Sequence, residues 1–173
     1  KRDLFQKFYA AEVGKNAKGV GRKFMDAGEL ENVAKTIDNF GGIFQLSQLK
    51  NIKIVSFPIS CIILAYNHWL GLYIDDENVE IMDSTGHLGT GAVHRSLRRF
   101  LRCHLVNKNF RITPRLQNDQ SSTCGMFAIS FLYCRTFLKL SLCSFSKQFT
   151  QNLQKNNELI EDIYKTIRLV ESK

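Results

Sequence analysis

The sequence predicts an α+β domain in which a mixed central β-sheet is flanked by helices. Between residues 52 and 82, short apolar runs of four to seven residues alternate with polar breaks, which is typical of strands. Residues 124–138 are apolar almost all round and predict a buried central helix. Residues 157–170 carry apolar side chains on one side only and predict an amphipathic closing helix. A length of 173 residues fits one domain of this kind.

The N-terminal part divides at about residue 25. Residues 1–24 are basic and rich in glycine, and predict an arm that precedes a single domain over residues 25–173. Asp26 with Glu29 three residues later forms a capping-box pattern, which predicts the start of a helix. Apolar residues at helical spacing follow as far as Phe40, and the pair Gly41-Gly42 is expected to end this helix.

The predicted elements then follow in chain order. Strands are expected over residues 52–55, 60–66, 69–74 and 79–82, with residues 75–78 as a hairpin turn. A helix is expected over residues 95–103, and a strand over 110–113 that ends at Pro114. Residues 117–123 form a polar loop before the buried central helix. The candidate catalytic residues described below therefore lie at the ends of predicted strands and helices or in the loop between them.

Composition narrows the function classes. The five cysteines contain no CxxC pair, so zinc-binding spacing is absent and no metal is expected. Their odd number indicates free thiols in a reduced, intracellular compartment. The protein is expected to be a monomer. No apolar run reaches 18 residues, so no membrane-spanning segment is expected. The net charge of +8 favours polyanions or acidic partners.

The predicted hairpin brings a histidine to an aspartate. If its turn is centred between Asp76 and Glu77, Leu70 lies opposite Asp83, and His68 lies two residues further along the same face. The diagonal separation of such residues is roughly 7–8 Å, within reach of an imidazole and a carboxylate. This arrangement predicts a general base with its orienting acceptor, and the alternative is a structural histidine.

Cys124 is the predicted nucleophile. It follows the polar loop and begins a long helix, where backbone amides and the helix dipole should favour the thiolate form. Gly125 is expected to let a substrate carbonyl approach the thiol. The other cysteines are interpreted as buried and inert, namely Cys61, Cys134 and Cys143, or as partly exposed, namely Cys103.

An oxyanion would meet the backbone N–H of Cys124 and a side-chain amide from the polar loop. Two residues of the loop could supply this amide, Gln117 and Gln120. Trp69 follows the predicted base and is expected to be a core aromatic that also shields the imidazole from water. The four parts of a thiol peptidase are thus present in the order His, Asp, Gln, Cys.

The pairs His68-Trp69 and Asp83-Ser84, followed by Gln-Asn-Asp-Gln-Ser-Ser-Thr-Cys-Gly-Met-Phe over residues 117–127, resemble the adenovirus-type (adenain-like) cysteine endopeptidases. That family occurs in adenoviruses, virophages and self-synthesising DNA transposons, and shares its papain-like core with the ubiquitin-like-modifier proteases. The Phe-Gly-Gly-Ile-Phe segment at residues 40–44 is similar to an aromatic-glycine motif that precedes the sheet in the viral branch, and the closing helix is similar to that branch's C-terminal helix.

The resemblance implies that His68 is the base, Asp83 its orienter, Gln117 the oxyanion donor and Cys124 the nucleophile. It implies cleavage of capsid or core precursor proteins during virion maturation, beside small residues such as glycine, in the host cell and the virion. No cofactor is required, and activation by DNA or by a disulfide-linked peptide is a property of the family. The chain departs from the viral pattern in carrying Asp where Glu is usual. It also has no cysteine at the position of that disulfide, Cys103 being the nearest. The alternative within enzymes is a protease of ubiquitin-like modifiers, of the deSUMOylase or deubiquitinase type.

A basic stripe gives the third alternative. Four arginines recur at i, i+3, i+4 and i+7 on one predicted helical face, namely Arg95, Arg98, Arg99 and Arg102. They could follow nucleic-acid phosphates without sequence preference, as in a catalytically idle binding module. The other interpretation is a solvated face that offsets acidic neighbours.

Overall fold

The computed structural model describes residues 25–52, 54–89, 92–104 and 106–171. The predicted arm over residues 1–24 lies outside the described residues. The strands are β1 (Phe40–Gln45), β2 (Ile59–Ala65), β3 (His68–Ile74), β4 (Asn78–Met82) and β5 (Asn109–Ile112). The helices are α1 (Ala27–Ala34), α2 (Ala92–His104), α3 (Cys124–Phe137), α4 (Leu142–Ser146) and α5 (Leu153–Glu171), with 3₁₀ turns at Leu46–Asn51 and His87–Gly89.

The five strands form one sheet in the order β1-β2-β3-β4-β5. The outer pairs β1/β2 and β4/β5 are parallel, and the inner pairs are antiparallel, so the predicted mixed sheet is confirmed. Gly71 lies opposite Met82 and Ile74 opposite Val79. This is the register that the hairpin spacing predicts, and continuing it past Met82 places Leu70 opposite Asp83.

Each face of the sheet has its own apolar layer. On one face, α3 packs with α1 and α5 against Ile62, Trp69 and Tyr73. On the other face, α2 and the first 3₁₀ turn pack against Ile63 and Leu72. The central helix α3 is buried over most of its length, as its composition predicts. Among the described helices, none has the length and apolarity needed to cross a membrane.

The capping box of α1 is present but the helix is shorter than expected. Asp26 Oδ1 accepts the Glu29 backbone N–H at 2.8 Å, and Glu29 Oε2 accepts the Asp26 N–H at 3.3 Å. The helix ends at Ala34, and Gly41 and Gly42 lie within β1. The prediction of a helix to Phe40 is wrong because residues 40–45 pair with β2 along a parallel ladder, which satisfies their backbone groups.

The predicted strand at residues 52–55 is also wrong. Ile52 closes the 3₁₀ turn, and Ile54 and Val55 follow in irregular backbone. Their place beside β2 is taken by β1. Ile52 and Ile54 instead pack against the apolar layer beneath α2, while Val55 is exposed. Alternating apolar residues thus mark partial burial here without strand pairing.

Gly71 sets the distance between the sheet and α3. A Cβ at this position would lie 2.9 Å from the Ala128 carbonyl oxygen and 3.2 Å from its Cα, both backbone atoms of α3. Only a residue without a side chain allows this close approach. The packing brings the N-terminal end of α3 to the end of the sheet where β3 begins.

We expect Gly71→Ala to lower the free energy of unfolding by about 1–3 kcal/mol, because the added methyl group overpacks a contact whose partner is backbone. Chemical denaturation of both proteins measures this difference. The matched control is Gly28→Ala at an exposed position of α1. Among the described residues, the new Cβ there would meet the Asp26 side chain at 3.2 Å and no backbone of another element. A Gly71→Ala protein as stable as the control would contradict the close-packing account.

Candidate active site

The histidine and the aspartate meet at one end of the sheet. His68 opens β3 directly after the two-residue turn Tyr66-Asn67, and Asp83 follows the last residue of β4. His68 Nε2 lies 2.8 Å from Asp83 Oδ1. The carboxylate is only 1% exposed, whereas the imidazole is 23% exposed. The predicted pair is therefore in contact, with the imidazole on the solvent side.

The Asp83 carboxylate is held by a ring of donors from the turn that follows it. Oδ1 also accepts the Thr85 hydroxyl at 2.8 Å and the Thr85 N–H at 3.2 Å, and Oδ2 accepts the Leu88 N–H at 2.8 Å. The Asp83 backbone is fixed by Thr113, whose hydroxyl accepts its N–H and donates to its carbonyl, each at 2.9 Å. Both oxygens are thus satisfied and the side chain has one available orientation.

These contacts shift both ionisation equilibria. Burial raises the pKa of Asp83, but the hydrogen bond and charge of His68, with the bonds from Thr85 and Leu88, outweigh it and leave this pKa below its usual range. Burial lowers the pKa of His68, yet hydrogen bonds to Asp83 and Cys124 and their negative charges raise it to about 9. The imidazolium is therefore the stable form of His68 at neutral pH.

Cys124 completes the group as the first residue of α3. Its thiol lies beside the His68 imidazole, where a hydrogen bond and the charge of Cys124 both raise the pKa of His68. Because Nε2 of His68 is engaged by Asp83, Nδ1 is the nitrogen that remains for the thiol. The Cys124 backbone N–H has no acceptor within the helix, since the first amides of any helix lack one.

The other cysteines lie in different surroundings. Cys61 and Cys134 are buried as predicted, and burial raises the pKa of their thiols to about 12 and about 11. Cys103 is exposed. Cys143 is exposed as well, so its prediction as a buried residue is wrong. In the short helix α4, Leu142 and Phe145 supply the buried positions and Cys143 faces outward.

Of the two glutamines in the polar loop, Gln117 is the one beside the other site residues. Its side chain is 2% exposed, and its Nε2 donates to the Ser121 carbonyl at 2.8 Å. Its Oε1 accepts the Ser84 hydroxyl at 2.5 Å. Gln120 is exposed at the tip of the loop. The geometry therefore favours Gln117 as the oxyanion donor.

Gly125 packs against two side chains of the protein core. A Cβ there would lie 3.2 Å from the Met25 side chain and 3.2 Å from Trp69 Cδ1. Trp69 is buried and its indole N–H donates to the Met25 carbonyl at 3.0 Å. The space into which a side chain at position 125 would extend is thus filled by the protein core. The approach of a substrate carbonyl to the thiol past Gly125 stays a prediction.

Two asparagines of α5 brace the loops that carry the site. Asn156 Nδ2 donates to the Leu116 carbonyl at 3.0 Å, directly before Gln117. Asn157 Oδ1 accepts the Thr123 hydroxyl at 3.2 Å, directly before Cys124. Both asparagines are buried. The closing helix therefore fixes both ends of the loop between the oxyanion donor and the nucleophile.

The sequence reasoning missed Ser84, Thr85 and Thr113, which position the residues that it found. All three are hydroxyl residues next to a strand end, a pattern that indicates local side-chain to backbone hydrogen bonds. Such residues are common in turns, so the sequence alone does not show that these three form hydrogen bonds with Asp83 or Gln117.

The arginine stripe lies on α2, on the sheet face opposite α3. All four predicted arginines are exposed. Two of them, Arg98 and Arg102, line a largely apolar cavity of about 400 Å³ between α2 and β5. Binding of nucleic acid at the stripe stays a prediction. Within the part of the chain that the structure describes, no cluster of three or more His, Cys, Asp or Glu could hold a metal ion.

The assembled groups suit acyl transfer to a thiol. A cysteine contacts an imidazole that is oriented by a buried carboxylate, and backbone and amide N–H donors lie at the start of the helix and in the adjoining loop.

Comparison with known protein families supports this chemistry. Residues 22–163 match the model of the Ulp1 protease family, C-terminal catalytic domain. This range includes His68, Asp83, Gln117 and Cys124. No curated protein sequence matches significantly.

A solved structure with a TM-score above 0.5 shows a similar fold at low sequence identity. The central domain of the uncharacterized Lpg1148 protein from Legionella pneumophila is 13% identical, with a TM-score of 0.56 over 88% of this chain and 100% of that one. A structure of the SUMO protease Ulp1 with its catalytic cysteine oxidized to a sulfinic acid is 13% identical, with a TM-score of 0.46 over 94% of this chain and 84% of that one.

The ion pair predicts how the site responds to pH. Since the folded-state pKa of His68 is raised from 6.5 to about 9, its interactions stabilise the fold fully below pH 6.5, and this stabilisation is lost as pH rises through 9. Asp83→Asn removes the charge and leaves an amide among donors, so we expect the His68 midpoint to fall by about 1–3 pH units. Histidine NMR titration of both proteins measures this midpoint. An unchanged His68 midpoint would contradict the assigned cause.

Proposed function

The chain belongs to the Ulp1 protease family and is a cysteine protease, and from this premise we propose that Cys124, His68, Asp83 and Gln117 perform its peptide-bond hydrolysis. The contact that carries the proposal is the 2.8 Å bond from His68 Nε2 to Asp83, which leaves the other ring nitrogen for the Cys124 thiol. A structural histidine would not need a buried carboxylate on one nitrogen and a helix-start cysteine on the other.

In the proposed reaction, the Cys124 thiolate attacks the scissile carbonyl carbon. The oxyanion that forms accepts hydrogen bonds from the Cys124 backbone N–H and the Gln117 amide. The His68 imidazolium gives its proton to the leaving amine, and a thioester to Cys124 remains. Water then attacks the thioester while neutral His68 takes its proton, which releases the acid and restores the Cys124 thiolate beside the His68 imidazolium. Asp83 keeps the imidazole oriented in both steps.

The surroundings of the nucleophile favour small residues at the cleaved bond. Cys124 is 2% exposed, and Trp69 and Met25 fill the space beside Gly125. Because so little of Cys124 is exposed, a small residue beside the scissile carbonyl would approach its thiol with the least steric hindrance. We propose that the substrate presents glycine or another small residue on the acyl side of the bond.

For the substrate class, we propose precursor proteins of a virus-like particle, cleaved within the host cell and the virion. The support is the similarity of residues 40–44 and of the closing helix to the viral branch. Both features belong to the scaffold of the site, as β1 pairs with β2 and α5 braces the loop around Gln117.

A second candidate is a protease of ubiquitin-like modifiers. The specific observation in its favour is the match to the Ulp1 family model, together with an aspartate as the orienting residue.

We expect Cys124→Ala to abolish peptide cleavage, by about 10⁵–10⁶-fold in kcat, with the fold retained. His68→Ala should be nearly as damaging, because the two residues act as a unit. The measurement is hydrolysis of a fluorogenic peptide with glycine before the scissile bond.

A limiting amount of iodoacetamide should label Cys124 before the exposed Cys103 and Cys143, because among the described side chains Cys124 is the cysteine that lies beside an imidazolium. Peptide mapping by mass spectrometry identifies the labelled site, and Cys103→Ala is the control that keeps full activity. Faster labelling of Cys103, with cleavage surviving in Cys124→Ala, would rule out this nucleophile.

The substrate classes can be separated by offering the enzyme a capsid-precursor peptide and a folded ubiquitin-like fusion side by side. Precursor cleavage predicts turnover of the peptide, because an extended glycine-containing segment is sufficient. Cys124→Ala controls for contaminating proteases, and added DNA tests activation by a polyanion. Fast cleavage of the fusion with no cleavage of the peptide, with and without DNA, would favour the second candidate.

A further inference from the structure

Ser84 joins the two loops that hold the site residues. It follows Asp83 directly and is fully buried. Its hydroxyl donates to Gln117 Oε1, and its carbonyl accepts the backbone N–H groups of Leu116 and Gln117, both at 2.8 Å. One residue therefore fixes both the backbone and the side chain of Gln117.

These contacts define which way the Gln117 amide faces. The Ser121 carbonyl can only accept, so the nitrogen of the amide must lie toward it. The oxygen then lies toward Ser84, which donates its hydroxyl hydrogen to it. In the reversed orientation the amide oxygen would face the Ser121 carbonyl oxygen, and two acceptors would repel each other.

The same contacts leave a donor for the reaction. The amide nitrogen carries two N–H groups, and the Ser121 carbonyl takes one of them. We propose that Ser84 is a positioning residue that locks the Gln117 amide so that its second N–H is held for the oxyanion. This inference rests on the proposed role of Gln117.

Removal of the Ser84 hydroxyl should therefore act on the rate rather than on binding. In Ser84→Ala, Oε1 of Gln117 is buried without a donor, and the amide gains freedom to rotate away from its catalytic orientation. Loss of one oxyanion donor costs about 10²–10³-fold in kcat. Ser84→Ala acts through that donor, so we expect a loss of about 10-fold or more that does not exceed the loss in Gln117→Ala.

A double-mutant cycle on kcat tests the inference. The proteins are wild type, Ser84→Ala, Gln117→Ala and the double variant, assayed with the glycine-containing fluorogenic peptide. We expect KM to stay within about twofold in Ser84→Ala, and Ser84→Ala to add no further loss in the Gln117→Ala background. The rate of Cys124 alkylation should be unchanged, because alkylation forms no oxyanion.

Ser130→Ala is the matched control, because Ser130 is equally buried on α3 and its hydroxyl has no hydrogen-bond partner among the residues that the structure describes. We expect its kcat to equal that of wild type. If Ser84→Ala does not fold, as judged by circular dichroism, Ser84→Cys keeps the volume and a weak donor and should show an intermediate kcat.

The outcomes separate this inference from the function on which it rests. A full loss in Gln117→Ala with an independent, multiplicative loss from Ser84→Ala would overturn the role of Ser84 and leave the oxyanion donor in place. An unchanged kcat in Gln117→Ala would overturn both. A change in KM alone would show that Ser84 affects substrate binding, which also contradicts the inference.

Discussion

The buried carboxylate of Asp83 is the constraint on which the site depends. An ionised group that is 1% exposed is costly unless it is paired and hydrogen-bonded. The chain meets this requirement with His68 on one side and with the donors of Thr85 and Leu88 on the other. Each donor belongs to an element that must then stay in place. The turn after β4 and the start of β3 are therefore ordered by the same carboxylate whose hydrogen bond, together with that of Cys124, raises the pKa of His68 to about 9.

The site residues belong to two parts of the structure, here called the sheet body and the helix body, and different contacts hold each part in place. The sheet body carries His68 and Asp83, and it extends to Gln117 because the loop after β5 is bonded to Ser84. The helix body carries Cys124 alone. Its approach to the sheet is set by the backbone contact at Gly71. One set of hydrogen bonds thus orients the base and the oxyanion donor, and a separate backbone contact sets how closely the nucleophile approaches them.

The amino-acid sequence is sufficient to predict the sheet body but not the approach of the helix body. A hairpin with a short turn has few registers, so the spacing from His68 to Asp83 along the chain is enough to predict that they are close. The pairing of β1 with β2 depends on residues far apart in sequence, so the glycine pair in β1 has the local pattern of a helix end. The surroundings of Gly125 could not be predicted from the sequence for the same reason, since its neighbour Met25 is 100 residues away along the chain.

The division into two bodies also explains why α5 belongs to the site although it supplies no reacting group. The loop between Gln117 and Cys124 is the direct covalent link between the bodies, and a mobile loop would let their separation vary. Asn156 bonds this loop before Gln117, and Asn157 bonds it before Cys124. These bonds are buried, where a lost partner leaves a polar group unsatisfied and costs more than the bond itself contributes. The closing helix therefore holds the nucleophile and the oxyanion donor at one fixed separation.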